Sequence, residues 1–231
     1  MNSITHEEQQ KIWDEEHKNP LVLKQMDSRD ASSGVSKFYD FLNGQGVTSG
    51  TGIEMGCGKG HNVIWLAEKG FNMYGFDFSP AAIQKAKERA QEMGVNPVFQ
   101  VQDATGKWNY DSNHFDFGID CFASTDIESL QGRLDAVNEM YRVLKPGGYL
   151  LSYLLSSDDE YHKDVSLNSP GPEKNSFLHP KTGKFEKTFD EDEINEIYKD
   201  FKIVIKEKLY KKTEFFGKEY ECINFWYVFQ K

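Results

Sequence analysis

The chain reads as an α/β domain built on a mostly parallel sheet, and three observations predict it. Across residues 52–155, short apolar runs alternate with amphipathic stretches at helical spacing. A glycine-rich turn links the first run to a helix, and carboxylates end successive runs at Glu54, Asp77 and Asp103. The 231 residues suit one large domain with modest additions. Hydrophobic residues reach 38% and aromatics 14%, too many core-formers for a disordered chain.

Strands are expected at 52–55, 72–76, 97–101, 115–121 and 149–155. Between the second and third, Ser79 supplies an N-cap, Pro80 fits the first helical position and Gly94 ends the helix. Residues 105–114 are polar and loop-like. Another helix over 130–144 should stop at Lys145-Pro146-Gly147-Gly148. Residues 156–188, with Pro170, Pro172 and Pro180, form a long excursion of the kind used as a functional lid or left disordered. Asp190 and Glu193 resemble a capping box opening a short helix to Lys199, with Ile194, Ile197 and Tyr198 on its apolar side. Two β-rich runs, 202–210 and 220–229, join through a turn containing Gly217 and close the fold as an antiparallel hairpin. The lysines of the first run read as a solvated edge, which also blocks unwanted pairing.

Charge narrows the functional classes. Twenty-seven basic against 37 acidic residues give −10, which disfavours a nucleic-acid partner. No apolar run reaches the roughly 20 residues of a membrane span. The polar, acidic N-terminus is unlike a secretory or transit leader. Cys57, Cys121 and Cys222 are odd in number and lack metal-type spacing, so no metal site or disulfide frame is expected, and a reducing cytoplasm is the simplest setting.

The chemistry concentrates at Ile53-Glu54-Met55-Gly56-Cys57-Gly58-Lys59-Gly60-His61-Asn62. Its pattern is E-x-G-x-G-x-G; with His at 61 it departs from the dinucleotide fingerprint. Glu54 would repel a pyrophosphate but welcome an ammonium group. Asp77 stands where a carboxylate can accept from ribose hydroxyls, and Asp103 where one can accept from an adenine amine. Singly, each also reads as a solvated strand cap; together they ring the end of a sheet where ligands bind. Cys57 reads more readily as a small packing residue than as a nucleophile. His61, His162 and His179 read individually as surface histidines. Trp13 is either a packing aromatic on an N-terminal helix or part of a lid.

With Gly75-Phe76-Asp77-Phe78-Ser79, Gln102-Asp103-Ala104, Phe115-Asp116-Phe117-Gly118-Ile119-Asp120 and Tyr141-Arg142-Val143-Leu144-Lys145-Pro146-Gly147-Gly148, this loop makes the chain resemble a class I S-adenosylmethionine-dependent methyltransferase. Within that class, Ile64-Trp65-Leu66-Ala67-Glu68-Lys69-Gly70 is similar to small-molecule enzymes of the tellurite-resistance and thiopurine type. The resemblance implies a Rossmann-like seven-stranded sheet, mostly parallel with an antiparallel last strand, helices on both faces and an N-terminal helical lid. It implies one domain: lid 1–45, cofactor core 46–155, substrate-covering insertion 156–188, closing helix and hairpin 189–231. It also implies S-adenosylmethionine as cofactor and S-adenosylhomocysteine as product. Glu54 would face the methionine amine, Gly56, Cys57 and Gly58 cradle the cofactor, and Asp77 bind the ribose beside Phe78. Asp103 and Ala104 would flank the adenine, Asp120 and Cys121 line the methionine end, and Trp13 cover it. The expected acceptor is a small molecule; a protein or RNA acceptor, or cofactor binding without transfer, are the alternatives. Its pocket would lie above Asp120 and Tyr153, roofed by the N-terminal segment and 156–188. No catalytic residue is assigned, because an activated methyl needs mainly alignment and exclusion of water.

Overall fold

The computed structural model describes residues 4–20, 28–215 and 217–231. Of the expected lid, residues 1–3 and 21–27 lie outside the described residues. Thr5 caps α1 (His6–Lys18) through a capping box with Glu8, and Ser32 caps α2 (Ser33–Gly44). The core then alternates as expected: β1 (Thr51–Met55), α3 (His61–Glu68), β2 (Asn72–Asp77), α4 (Pro80–Met93), β3 (Val98–Val101) and β4 (Phe115–Cys121). A 3-10 turn (Ala123–Asp126), α5 (Leu130–Val143) and β5 (Leu144–Leu155) follow. Ser79 accepts from the Ala82 N–H, Pro80 sits in the first turn of α4, and left-handed Gly94 ends it.

The seven-stranded sheet runs β3-β2-β1-β4-β5-β9-β8, where β8 is Lys202–Phe215 and β9 Lys218–Gln230. The strands from β1 to β5 pair parallel, and β9 is antiparallel to both neighbours. Alternation along β9 feeds two cores: Phe225, Tyr227 and Phe229 join one layer, Trp226 and Val228 the other. Helices α2 to α4 cover the second layer; α5 and α7 (Glu191–Ile197) cover the first. In α3, Val63, Ile64 and Leu66 supply the buried face. No helix among the described residues is long and apolar enough to cross a membrane.

Three features differ from expectation. Lys145-Pro146-Gly147-Gly148 does not separate helix from strand: Leu144 already pairs with Phe115, and the four residues bulge before Tyr149 resumes against Phe117. Residues 156–188 carry regular structure, α6 (Glu160–Asn168) and a ribbon of β6 (Ser176–Leu178) with β7 (Phe185–Lys187). Phe177 and Phe185 are fully buried beneath that ribbon, which anchors it. His179 is correspondingly buried, not on the surface.

Candidate functional site

The carboxyl ends of β1 to β4 open into a cleft of about 1300 Å³. That exceeds the roughly 300–1000 Å³ typical of one small-molecule pocket and leaves room for two ligands side by side. The β1–α3 turn forms its floor. Gly56, Gly58 and Gly60 adopt φ of 61°, 52° and 76°, a region L side chains rarely enter. A Cβ on Gly56 would stand 2.5 Å from that of Ala123, so a side chain there would close the floor.

Glu54 is the penultimate residue of β1, beneath this turn. Asn62 Nδ2 donates to its Oε1 at 2.7 Å, while Oε2 is buried with no partner among the described residues. Burial, against that single hydrogen bond, pushes the Glu54 carboxyl up to about 8. Asp77, at the end of β2, accepts from the Gly58 N–H at 2.9 Å and the Ser79 N–H at 2.8 Å. Burial outweighs those bonds and raises it to about 6. Asp103 accepts from the Thr105 N–H and Oγ1 and lies 3.1 Å from His6 Nε2. The Ala104 carbonyl is taken by Trp108 Nε1 at 2.9 Å.

Helix α1 lies across these groups. Asp14 Oδ1 accepts from Ser79 Oγ and the Ala81 N–H, fastening α1 to the start of α4. Gln9 donates to the carbonyls of Asp126 and Phe185 and accepts from the Phe185 N–H. Gln10 reaches the Phe78 carbonyl. The face so held presents Trp13 and His17 to the cleft, each with a buried ring nitrogen lacking a partner among the described residues. Burial first, then Lys59, holds His17 down to about 4, so its ring is neutral near pH 7.

Trp13, Glu54, Gly56, Cys57, Gly58, Asp77, Phe78, Asp103, Ala104 and Cys121 all line this one cleft. Asp120 does not. Strand pleating puts it on the opposite sheet face from Cys121, where Ser124 Oγ, the Ser124 N–H and the Tyr198 hydroxyl occupy its carboxylate. It braces the end of β4. Cys57 packs against Gly75, and burial drives its thiol pKa up, the reverse of an activated nucleophile.

The far half of the cleft also differs from expectation. Residues 156–188 contribute only Asp159, His162 and Glu186, whereas the β8–β9 hairpin brings Lys208, Leu209, Tyr210, Lys211, Thr213, Phe215, Cys222 and Asn224. Leu209, Tyr210 and Phe215, with Phe122, Tyr153 and Leu155, give this half a broad apolar wall, among which Lys208 and Lys211 are the charged hairpin residues. Sequence reasoning passed over Asn62, His17 and the hairpin arms. The signal for Asn62 was its place in the first turn of a helix leaving the glycine loop; the hairpin's was its length beyond the sheet.

The unpaired carboxylate oxygen suits an ammonium group, the glycine turn suits close contact with a ligand, and two further carboxylates suit hydroxyls and an amine. These residues therefore fit an amino-acid-bearing nucleoside. Residues 53–148 match the family model described as a methyltransferase domain. The chain is 30% identical over 144 residues to the 2-heptyl-1-hydroxyquinolin-4(1H)-one methyltransferase of Mycobacteroides abscessus, covering 61% of this chain and 60% of that protein. It is 29% identical over 113 residues to the demethylmenaquinone methyltransferase of Oceanobacillus iheyensis, covering 47% and 46%. The chain thus spans less than two thirds of the length of either curated relative. Among solved structures, a SAM-dependent methyltransferase of Methanosarcina mazei superposes with a TM-score of 0.70 at 25% identity, covering 87% of this chain and 98% of its own.

Proposed function

From the membership of this chain in the class I S-adenosylmethionine-dependent methyltransferases, with S-adenosylmethionine as cofactor, we propose that it methylates a small, largely apolar molecule. The observation that carries the reading is Glu54, buried near the tip of β1 with one oxygen unpartnered among the described residues, in the same cleft as Asp77 and the glycine turn. Bound there, the cofactor supplies a methyl group already activated on a sulfonium. Glu54 takes its ammonium group, and the backbone at Gly56, Cys57 and Gly58 lies against its chain. Asp77 accepts from the ribose hydroxyls. Asp103, Ala104 and Phe78 hold the base, Cys121 borders the methionine end, and Trp13 and His17 exclude water from above. The chain's work is alignment and desolvation rather than activation of the donor.

A small acceptor is supported by the apolar far half of the cleft and by the net charge of −10. The two curated relatives are named for bicyclic, alkyl-bearing or quinone-type acceptors, in keeping with that chemistry. Calorimetry with S-adenosylhomocysteine should show binding. Asp77→Ala leaves the Gly58 and Ser79 donors unpaired and removes the diol partner, so affinity should fall by about 1–3 kcal/mol. Wild-type protein giving no heat with donor or product, or preferring a nicotinamide dinucleotide, would end this reading.

A further inference from the structure

Against the apolar wall of the cleft lies a polar device that alignment of a donor does not require. Asp159, fully buried, caps α6 and accepts from the His162 N–H at 2.9 Å through Oδ1. The same oxygen lies 2.6 Å from His162 Nδ1, and Oδ2 accepts from the Ile223 N–H of β9 at 2.8 Å. A carboxylate so placed holds the proton of a neutral imidazole on Nδ1 and leaves the lone pair on Nε2. Burial pulls the Asp159 carboxyl upward, but the His162 ring and the two backbone donors outweigh it and keep it below its usual value. The rings of Tyr161 and Phe177 flank the imidazole at 5.1 Å and 5.7 Å, so its plane is fixed by packing as well. Nε2 has no hydrogen-bond partner among the described residues, and both His162 and Asp159 line the cleft that holds Glu54, Cys121 and Tyr153.

We propose that His162 is the general base of the reaction, that Asp159 positions it, and that the acceptor presents a weakly acidic hydroxyl on an apolar ring. This rests on the methyl-transfer reading above. His162 Nε2 takes the hydroxyl proton as the oxygen forms its bond to the methyl carbon. The carbon–sulfur bond breaks with its electron pair going to sulfur, leaving a thioether. The imidazolium then returns its proton to solvent, so charge and atoms balance. The base is needed because a neutral aryl hydroxyl is a poor nucleophile, and general-base help of this kind contributes roughly 100- to 10,000-fold.

The test uses two probes of one shape, 1-naphthol and naphthalene-1-thiol, with wild type and His162→Gln. Near pH 7.5 the thiol is largely ionised unaided, whereas the naphthol is not. His162→Gln should lower methylation of the naphthol roughly 100-fold or more. Transfer to the thiol should stay within a few-fold, with unchanged S-adenosylhomocysteine binding. Imidazole nitrogen NMR should find His162 as the Nδ1–H tautomer, and Asp159→Asn should scramble that tautomer and slow naphthol transfer. Equal loss on both probes, or none on either, overturns the proposal, as does an Nε2–H tautomer in the wild type. A wild type that binds S-adenosylhomocysteine yet methylates only the thiol, or neither probe, also overturns it. Failure to bind S-adenosylhomocysteine at all would instead sink the underlying methyl-transfer reading.

Discussion

Glu54 is where binding and stability oppose one another. Its carboxyl sits near 8 in the folded protein against an ordinary 4.5, with burial the main cause. Between those values the folded state holds a proton that the unfolded state has lost, so stability falls as pH rises through that window. Asp77, raised from 3.8 to about 6 by its burial, adds a smaller effect of the same sign lower down. Glu54→Gln keeps an acceptor for Asn62 but cannot ionise, and it should stabilise the free protein by up to about 5 kcal/mol at pH 9. The gain should shrink to below about 1 kcal/mol near pH 5, as measured by denaturant unfolding at both values. The same variant should bind S-adenosylhomocysteine more weakly. Wild type should release close to one proton on binding at pH 7, seen as a buffer-dependent heat, because an ammonium partner restores the ionised form. A variant that loses neither the proton release nor affinity would show that Glu54 meets no cation. The sequence identified this residue through its place before a glycine turn. It did not identify Asn62, because one polar residue on a helix carries no period; the family resemblance set Asp120 beside Cys121 at the methionine end, although strand alternation puts neighbouring residues on opposite faces.

At the scale of elements, helix α1 is held by side chains more than by apolar contact, and Gln9 is its strongest fastening. Gln9→Ala would strand the Phe185 N–H and two carbonyls, at a cost of about 1–3 kcal/mol. Hydrogen exchange over residues 6–18 should quicken, and S-adenosylhomocysteine affinity should fall, while exchange in β1 and β4 stays slow. Unchanged exchange in α1 would mean that Trp13 and Asp14 suffice. The central strands were legible because each is apolar, of ordinary length and bounded by glycine, proline or a cap. Helix α6 was not: none of its residues is buried, so it shows no apolar stripe, and only Asp159 followed three residues later by His162 marks its start. Strands β6 and β7 span three residues each, too short for an alternating pattern to register. The hairpin arms run to Phe215 and from Lys218, well past the expected 202–210 and 220–229, because Lys211, Lys212 and Glu214 sit on solvated β backbone where no apolar period reveals it.

Across the whole molecule, the two halves of the cleft are roofed by different parts of the chain, and their removal should have different consequences. The ribbon of β6 and β7 meets α1 directly: Gln9 spans to Phe185, and Lys184 Nζ stands 4.1 Å over the Trp13 ring. Phe177, Phe185 and Phe189 are fully buried there, so residues 156–188 belong to the cofactor half's support rather than forming a detachable cover. Replacing them by a short Gly/Ser linker should therefore weaken S-adenosylhomocysteine binding and loosen α1, contrary to what a separate substrate lid would do. The outer hairpin is different. Its pairs from Lys211 with Cys222 to Phe215 with Lys218 lie beyond β5, whose last partner on β9 is Asn224, yet Thr213, Phe215 and Cys222 line the apolar half. Closing it early, with Asn-Gly in place of residues 212–221 so that Lys211 and Cys222 remain paired, should leave S-adenosylhomocysteine affinity within about threefold, since no residue of the cofactor half is removed, although Tyr161 of α6 loses the Phe215 and Tyr220 rings. Methylation of an apolar aryl acceptor should fall by roughly tenfold or more as that wall opens to water. Calorimetry and product assay on the two variants together decide the point. If the linker variant keeps full affinity while the hairpin variant loses it, the assignment of the halves is reversed.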